Sequence, residues 1–544
     1  MFRANPNERQ MNIKDPYLYY SNPIKDMFHR SWAPYFFEHI FSNIDEERFA
    51  VLYSSKASRP NTPVNILVGL FFLKELCGWT DDEMLSSLYF DYRVQYALGI
   101  TDLEKESVSI NTITNFRNRL CRYEEETGVD LLQQEVEALT KALVQLSQMD
   151  TSLARQDSMM VSANCKKMNR LELVYAVNIL MVKQLEKHAP ESIPPSCGHY
   201  LEQGDQNKQL YRVKKDQLAD KLVELLNESL DLYSSVPETL QGTEAFLSLV
   251  RLLEEQTVCS EGKRMPREKE DISASSLQNP SEPDATYRKK KNQDHTGYAF
   301  SLIEARDIVK EMSVILYHEE QQNIVSDVEF GQNSLKSSNL DGVEVIANDG
   351  GFYAPETLKK AEELQIEMIF SALTGRKAQE GILGVNEFLL HPETNAIYLC
   401  PGLKEPISAA YDAEKQQYTA KFAKPDCLAC SLFPICPVKE QVKYNTLSFT
   451  ENKRQLDICR SKMGTEEYKE LADFRAGVEG VPSVLRRRYN IDHIPVRGLL
   501  RRGAWIHSKI MAFNFHSFFT YLRKKEAGLR ALFQNNQECA TGCG

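Results

Sequence analysis

Across residues 30–125 apolar positions recur at helical spacing, and beyond about residue 150 the period changes. After Pro63, which suits a helix start, Ile66, Leu70, Leu73 and Leu76 follow at three- and four-residue steps. A second helix is predicted past the turn at Gly78, from Thr80 as N-cap with Glu83 three residues on, through Met84, Leu85, Leu88 and Tyr89. The stretch Ser107–Leu120 (SVSINTITNFRNRL) sets Thr112, Asn115, Arg117, Asn118 and Arg119 beside Ile110, Ile113, Phe116 and Leu120. Short polar and basic side chains on one face suit base edges and phosphates, as in a helix-turn-helix; the plainer alternative is a helical bundle with a solvated polar side.

A helix near Asp130–Leu146 precedes a segment of period two, in which Leu153, Arg155, Asp157, Met159 and Val161 share one face of a predicted strand. Residues 170–255 return to helix, and the polar stretch Glu254–Asp284 reads as the loop that closes an inserted helical unit. Strand character resumes at His295–Ala305, Val309–Leu316 and Gly342–Asp349, the last ending in Gly350 and Gly351. An apolar strand that ends in an acid and a flexible turn is how α/β sheets present reactive groups at their carboxyl edge. A helix is expected from Pro355 and a short buried strand at Ile366–Leu373; residues 385–450 lean towards β structure, and from Glu466 onward the chain reads as helical and basic.

Composition narrows the classes. Of 544 residues, 42% are hydrophobic and 26% charged, the balance of a globular protein. No apolar run approaches the roughly 18 residues that a membrane span needs. The amino terminus lacks the apolar core of a secretory signal, so a reducing cytoplasm is expected. A net charge of −11 argues against a general coat for nucleic acid. Yet between Arg475 and Lys525 cations dominate, with Arg486, Arg487, Arg497 and Arg501 among them, so a local surface for a phosphate backbone is expected there, against the plainer reading of a solvated helix face.

Four of the 12 cysteines are compactly placed. Cys427 and Cys430 form a C-x2-C pair, Cys436 follows, and Cys400 lies in a strand-turn. Four thiolates suit a structural zinc ion and leave no open position for catalysis; free thiols or an iron–sulfur cluster are the alternatives.

Five segments in order and spacing carry a resemblance: the block closing in NTITNFRNRL, QDSMMVSANCKKMNRLEL, PDATYRKKKNQDHTGYAFSLIEA, VIANDGGFYAPETL, and DFRAGVEGVPSVLRRR followed by IPVRGLLRRGAWIHSKIMAFNF. Over roughly residues 30–525 the chain resembles DDE transposases of bacterial insertion sequences that have a helical amino-terminal domain. The resemblance implies an α/β fold: a ribonuclease H-like mixed sheet flanked by helices, an all-α amino-terminal domain, a helical insertion and a small β-rich, cysteine-containing insertion. The expected division is an arm over 1–29, a DNA-binding unit over 30–130, a catalytic domain over 150–525 interrupted at 170–283 and 385–450, and a tail over 526–544.

The resemblance further implies Asp157, Asp349 and Glu479 as the catalytic acids and ligands of two Mg²⁺ or Mn²⁺ ions. Such ions activate a water or a 3′-hydroxyl and stabilise the leaving oxygen, and they need carboxylate oxygens. Among rival acids, Asp150 reads as a helix cap, while Glu470 and Asp473 stand close to Glu479. In such enzymes a Tyr, Arg, Glu, Lys pattern often surrounds the last acid; Arg475 matches the Arg, Arg486 stands for the Lys, and Ala472 replaces the Tyr. Arg475 suits a phosphate contact or an i, i+4 ion pair with Glu479. The implied partners are double-stranded DNA, both element ends and target, and further copies of the chain. The implied alternatives are an inactive DNA-binding relative and a same-fold nuclease that never transfers strands.

Overall fold

The computed structural model describes residues 1–541 except 6–14, 55, 57–59, 103–106, 261–262, 291, 374–380 and 395. Seven helices come first: α1 (Asn22–His29), α2 (Trp32–His39), α3 (Val64–Cys77), α4 (Asp81–Phe90), α5 (Tyr92–Ala97), α6 (Ile110–Thr127) and α7 (Leu131–Ser147). Local chemistry sets their ends. Thr80 and Glu83 form the expected capping box of α4, Ser109 caps α6 through the Thr112 N–H, and Gly78 and Gly128 close α3 and α6 in left-handed conformation. The predicted arm is no arm beyond Asp15: Asp15 accepts from the Tyr92 hydroxyl at 2.8 Å, and Phe28 is buried in the core.

Strand β1 (Leu153–Ser162) opens the α/β part. Asp150, expected as a helix cap, instead accepts the Ser152 N–H in a turn at 2.9 Å. An insertion follows, made of α8 (Arg170–His188), α9 (Leu218–Ser235), α10 (Glu244–Gln256) and the hairpin β2 (Thr257–Ser260) and β3 (Lys263–Pro266); its helices bury a core of their own.

The sheet then continues with β4 (Thr286–Lys290), β5 (Gln293–Asp307) and β6 (Met312–Gln322), followed by α11 (Asp327–Ser334), β7 (Val345–Asn348), α12 (Pro355–Glu363) and β8 (Glu367–Phe370). Six strands form it in the order β4-β5-β1-β7-β8, with β6 on the β4 side of β5. The long β5 runs antiparallel to β1, β4 and β6, whereas β1, β7 and β8 are parallel. The fold is therefore a mixed α/β sheet with a helical amino-terminal part.

A third unit holds β9 (Leu389–Leu390), β10 (Ile397–Leu399), β11 (Ser408–Asp412), β12 (Gln417–Ala423), the short α13 (Lys424–Leu428), β13 (Lys439–Glu440) and β14 (Tyr444–Thr450) around a small separate core. The chain closes with α14 (Glu451–Lys462), α15 (Glu466–Ala476), α16 (Gly480–Arg487) and α17 (Leu499–Thr541).

Helix α17 ties the molecule together. It packs on α3, α7 and β6, so the amino-terminal helices and the sheet share one hydrophobic core rather than forming separate units. It also runs through the predicted 526–544 tail as far as Thr541, and Glu526 accepts a hydrogen bond from Tyr35. Two cations of the expected basic surface turn out to be internal: Arg502 is fully buried against Glu320 at 2.7 Å, and Lys509 is buried against Glu75. Burying them unpaired would be costly, so they answer buried acids and are not offered to a ligand.

On β6, an edge strand, Ile315 donates its N–H to Asn514 Oδ1 at 2.8 Å and accepts from Asn514 Nδ2 at 3.0 Å, as a neighbouring strand would do. The same amide reaches Thr140 of α7 at 3.0 Å. Replacing Asn514→Leu leaves these buried backbone groups unsatisfied and is expected to lower stability by about 1–3 kcal/mol in denaturant unfolding.

Candidate active site

The register of the two central parallel strands sets the site. Arg155 pairs with Ala347, and continuing two residues brings Asp157 level with Asp349 at the carboxyl end of β7. Two carboxylates held side by side repel each other unless a positive charge lies between them. Arg475, from the last turn of α15, supplies it: Nη2 lies 3.2 Å from Asp157 Oδ1 and 3.7 Å from Asp349 Oδ2. Exposure falls from Asp349 (42%) to Asp157 (17%) and Arg475 (14%), so the cluster opens to solvent on the Asp349 side. Burial raises the Asp157 carboxyl above the ordinary carboxylate range, Arg475 and Lys290 oppose this, and Asp349 adds to it.

Arg155 fixes the approach of α15. Buried in β1, it pairs with Glu304 of β5 at 2.6 Å, donates to the Phe474 carbonyl at 2.8 Å and lies over the Phe474 ring. Gly477 follows because a Cβ there would run into the Arg155 guanidinium.

The turn after β7 also depends on glycine. Asp349 caps its own turn by accepting the Gly351 N–H at 2.8 Å. A Cβ at Gly350 would strike the Ala372 carbonyl, and one at Gly351 would fall 2.8 Å from Asp327 Oδ2 and 2.9 Å from Asp349 Oδ1. Asp327 is thus an acid of this neighbourhood that reading the sequence missed. It opens α11 and accepts from the Ser158 hydroxyl at 2.6 Å, while Ser158 donates its N–H to Asp157. A Ser-x-x-Glu helix start at Ser326 was legible, but nothing in it pointed to Asp349.

Glu479 sits in a 3-10 turn, Gly477–Glu479, between α15 and α16, and not in a helix as expected. Gly477, Gly480 and Pro482 explain the break, since Pro cannot continue the hydrogen-bond ladder of α15 but is tolerated in the first turn of α16. The turn lies against β1, and the Glu479 side chain is exposed. Arg475 therefore pairs with Asp157 and Asp349, which the structure brings together, whereas Glu479 stands exposed on the adjoining turn and is not gathered with them into one cluster.

The expected DNA-contacting arginines separate into two groups. Arg117 is held bidentate by Asp81 at 2.6 and 2.9 Å and lies over the Phe71 and Trp505 rings, a packing role. Arg486 bridges Asp492 and the Met160 carbonyl at 3.0 and 2.7 Å, locking α16 onto β1. Arg119 lies over the Tyr53 ring yet remains exposed, Arg497 donates to the Asn164 carbonyl, and Arg487 and Arg501 are exposed.

Cys400, Cys427, Cys430 and Cys436 line one small cavity in the β9–β14 unit. The Lys404 N–H points at Cys400 Sγ, 3.4 Å away, and a Cβ at Gly402 would crowd the Cys430 sulfur. Burial raises the Cys427 and Cys436 thiols, with the buried Asn445 side chain beside Cys427 acting the other way. Among the described residues, no group of three or more His, Cys, Asp or Glu side chains is placed to hold a metal ion, at the acids or at the cysteines. None of their helices is long and apolar enough to cross a membrane.

Two family models match the chain: a transposase domain (DUF772) over residues 26–119, and a transposase DDE domain over residues 399–519. The first runs from within α1 to the middle of α6; the second begins in the cysteine unit and includes Arg475 and Glu479, while Asp157 and Asp349 lie between the two. No curated protein and no solved structure matches. The matches to these two transposase domains support an insertion-sequence DDE transposase.

Replacing Arg475→Gln is expected to destabilise the protein by roughly 1–3 kcal/mol near pH 7.5. Without that cation the already raised Asp157 carboxyl rises further, so its charged form costs most above the unfolded value and the deficit shrinks as pH falls towards about 4. Urea unfolding of both proteins across this range measures the effect; a deficit independent of pH would mean that Arg475 acts through packing alone.

Proposed function

We propose that the chain binds the terminal inverted repeats of its element and cuts and joins DNA at Asp157, Asp349 and Glu479. The observation that carries this reading is the pairing of Asp157 and Asp349 across adjacent parallel strands, around a single shared cation charge. The strand order β5-β1-β7-β8, with β5 alone antiparallel, supports a ribonuclease H-like core.

The chemistry of the two carboxylates would suit divalent metal ions. Asp157 and Asp349 offer hard oxygen ligands on rigid backbone, and the position that Arg475 fills already holds positive charge between them. Asp157 and Asp349 would hold Mg²⁺ or Mn²⁺, with Glu479 completing the set from its turn; when bound, the ions supply an activated nucleophile and stabilise the leaving oxygen. The chain's own contribution is positional. Strands β1 and β7 fix the spacing of the two carboxylates, Gly350 and Gly351 let the backbone turn beneath them, and Arg155 fixes the end of α15 that carries Arg475. With a metal balancing the two acids, Arg475, which lies near both, would be available to contact a scissile phosphate.

Recognition of the ends falls to the exposed face of α6, where Asn111, Thr114, Asn115, Asn118 and Arg119 lie outward. Arg487, Arg497 and Arg501 add phosphate contacts, and copies of the chain pair on two ends. The four cysteines would hold a structural zinc ion, a reading supported by a shared cavity, all-thiol donor chemistry and the N–H directed at Cys400.

A labelled duplex carrying the element's own ends, incubated with Mg²⁺ or Mn²⁺, is expected to be nicked by the wild type. Asp157→Asn, Asp349→Asn and Glu479→Gln should each lose this activity by at least about a thousandfold. Cutting that survives these changes would place the chemistry elsewhere, and specific binding without cutting would make the chain an inactive DNA-binding relative. Metal analysis of the purified protein should find about one zinc per chain, lost in Cys427→Ser and Cys430→Ser; a zinc-free, fully folded protein would overturn that assignment.

A further inference from the structure

A large groove lies between the predicted reading helix and the helical insertion. It encloses about 1050 Å³ and is walled by α6 on one side, by α8 and α10 on the other, and by the segment around Arg497–Arg501 at its base. Asn118 and Arg122 enter it from α6, one turn apart, so the face that carries the exposed polar residues of α6 looks across at the insertion.

Its charge runs against that of the whole chain. Five cations line it, Arg122, Lys183, Arg251, Arg497 and Arg501, against three acids, Glu125, Glu244 and Asp284, in a protein whose net charge is −11. Two of the cations are already engaged: Arg251 is tied to Glu255 and to the Ser275 and Pro283 carbonyls, and Arg497 to the Asn164 carbonyl. One of the acids is engaged as well, Asp284 accepting the Leu499 N–H at 3.1 Å. Arg122, Lys183 and Arg501 are exposed and make no ion pair among the described residues. They come from three different parts of the chain, α6, α8 and α17.

Position adds to charge. Arg497 binds Asn164, just beyond the end of β1, and Asp157 lies in the same strand. At about 3.3 Å per residue the seven residues from Asp157 to Asn164 span roughly 23 Å, less than one turn of duplex DNA at about 34 Å. A duplex lying along the groove thus reaches the carboxylates within one turn.

We propose that the helical insertion is a DNA-holding jaw: the groove between α6 and the α8–α10 face takes the sugar–phosphate backbone of end DNA, with Arg122, Lys183 and Arg501 as its phosphate contacts. This rests on the transposase reading above and extends it to a unit that neither matched domain covers. The exposed Leu180 and Leu247 in the same groove line the sugar side of the strand.

The test uses the full chain and a labelled duplex carrying the element's ends, with affinity measured across a salt series. Removing one phosphate-binding cation should reduce the slope of log K against log salt by about 0.9. Lys183→Ala and Arg122→Ala should each show this reduction, Lys183→Glu should bind more weakly than Lys183→Ala, and Lys415→Ala in the cysteine unit should behave as wild type. With Leu247, 57% exposed, replaced by a benzophenone-bearing residue, irradiation should crosslink the insertion to the duplex. Wild-type slope in Lys183→Ala and Arg122→Ala, or crosslinking to a second copy of the chain instead of DNA, would overturn the proposal while leaving the transposase reading in place. A wild type that does not bind the duplex would overturn both.

Discussion

Two ionised carboxylates at the ends of neighbouring parallel strands repel each other unless a cation balances them, and the molecule is arranged around that requirement. Asp157 and Asp349 are placed level by the β1–β7 register, which side chains alone cannot alter without slipping a strand. Arg475 meets the requirement, and its own position depends on Arg155, buried in β1 beneath the end of α15. The pairing of Arg155 with Glu304 then ties β5 to the same cluster. Strand register, helix end and charge balance are therefore one constraint. If the proposed metal binds, it would replace the Arg475 guanidinium between the same pair of oxygens with little backbone movement.

Helix α17 links this site to the amino-terminal helices. Asn514 completes the edge of β6 as a strand would, Arg502 and Lys509 neutralise buried acids on β6 and α3, and aromatic residues from both parts share one core. A His507 ring between Asp130 of α7 and His318 of β6 adds a polar bridge across the same junction, at 2.7 and 2.6 Å. The reading helix and the carboxylates are consequently held in fixed relation. On the proposed function, DNA gripped on α6 would be presented to the strands rather than swung towards them on a linker.

Much of the fold was legible in the sequence because its signals were local. The alternation around Asp157 and the apolar run into Asp349–Gly350–Gly351 are properties of a few adjacent residues, and both strands form where the pattern places them. The capping box at Thr80 and the cysteine spacing were local in the same way. What escaped depended on contacts between distant segments. Arg502 and Lys509 look like surface cations until their partners Glu320 and Glu75, far away in the chain, are known. Asp327 carries only a helix-start signal, and its nearness to Asp349 arises from the way α11 returns across the sheet. Pro482 alone predicts a kink near Glu479, but the two flanking glycines turn the break at Gly477–Glu479 into a helix end.

The most direct test of the account is whether the carboxylate pair exchanges its arginine for a metal ion. Electron paramagnetic resonance of Mn²⁺ titrated into the full chain without DNA should show saturable binding in the wild type, tighter binding in Arg475→Gln, and loss of binding in Asp349→Asn. Binding that is unchanged in Asp349→Asn, or weakened in Arg475→Gln, would contradict the claim that Asp157, Asp349 and Arg475 form one cation-holding site.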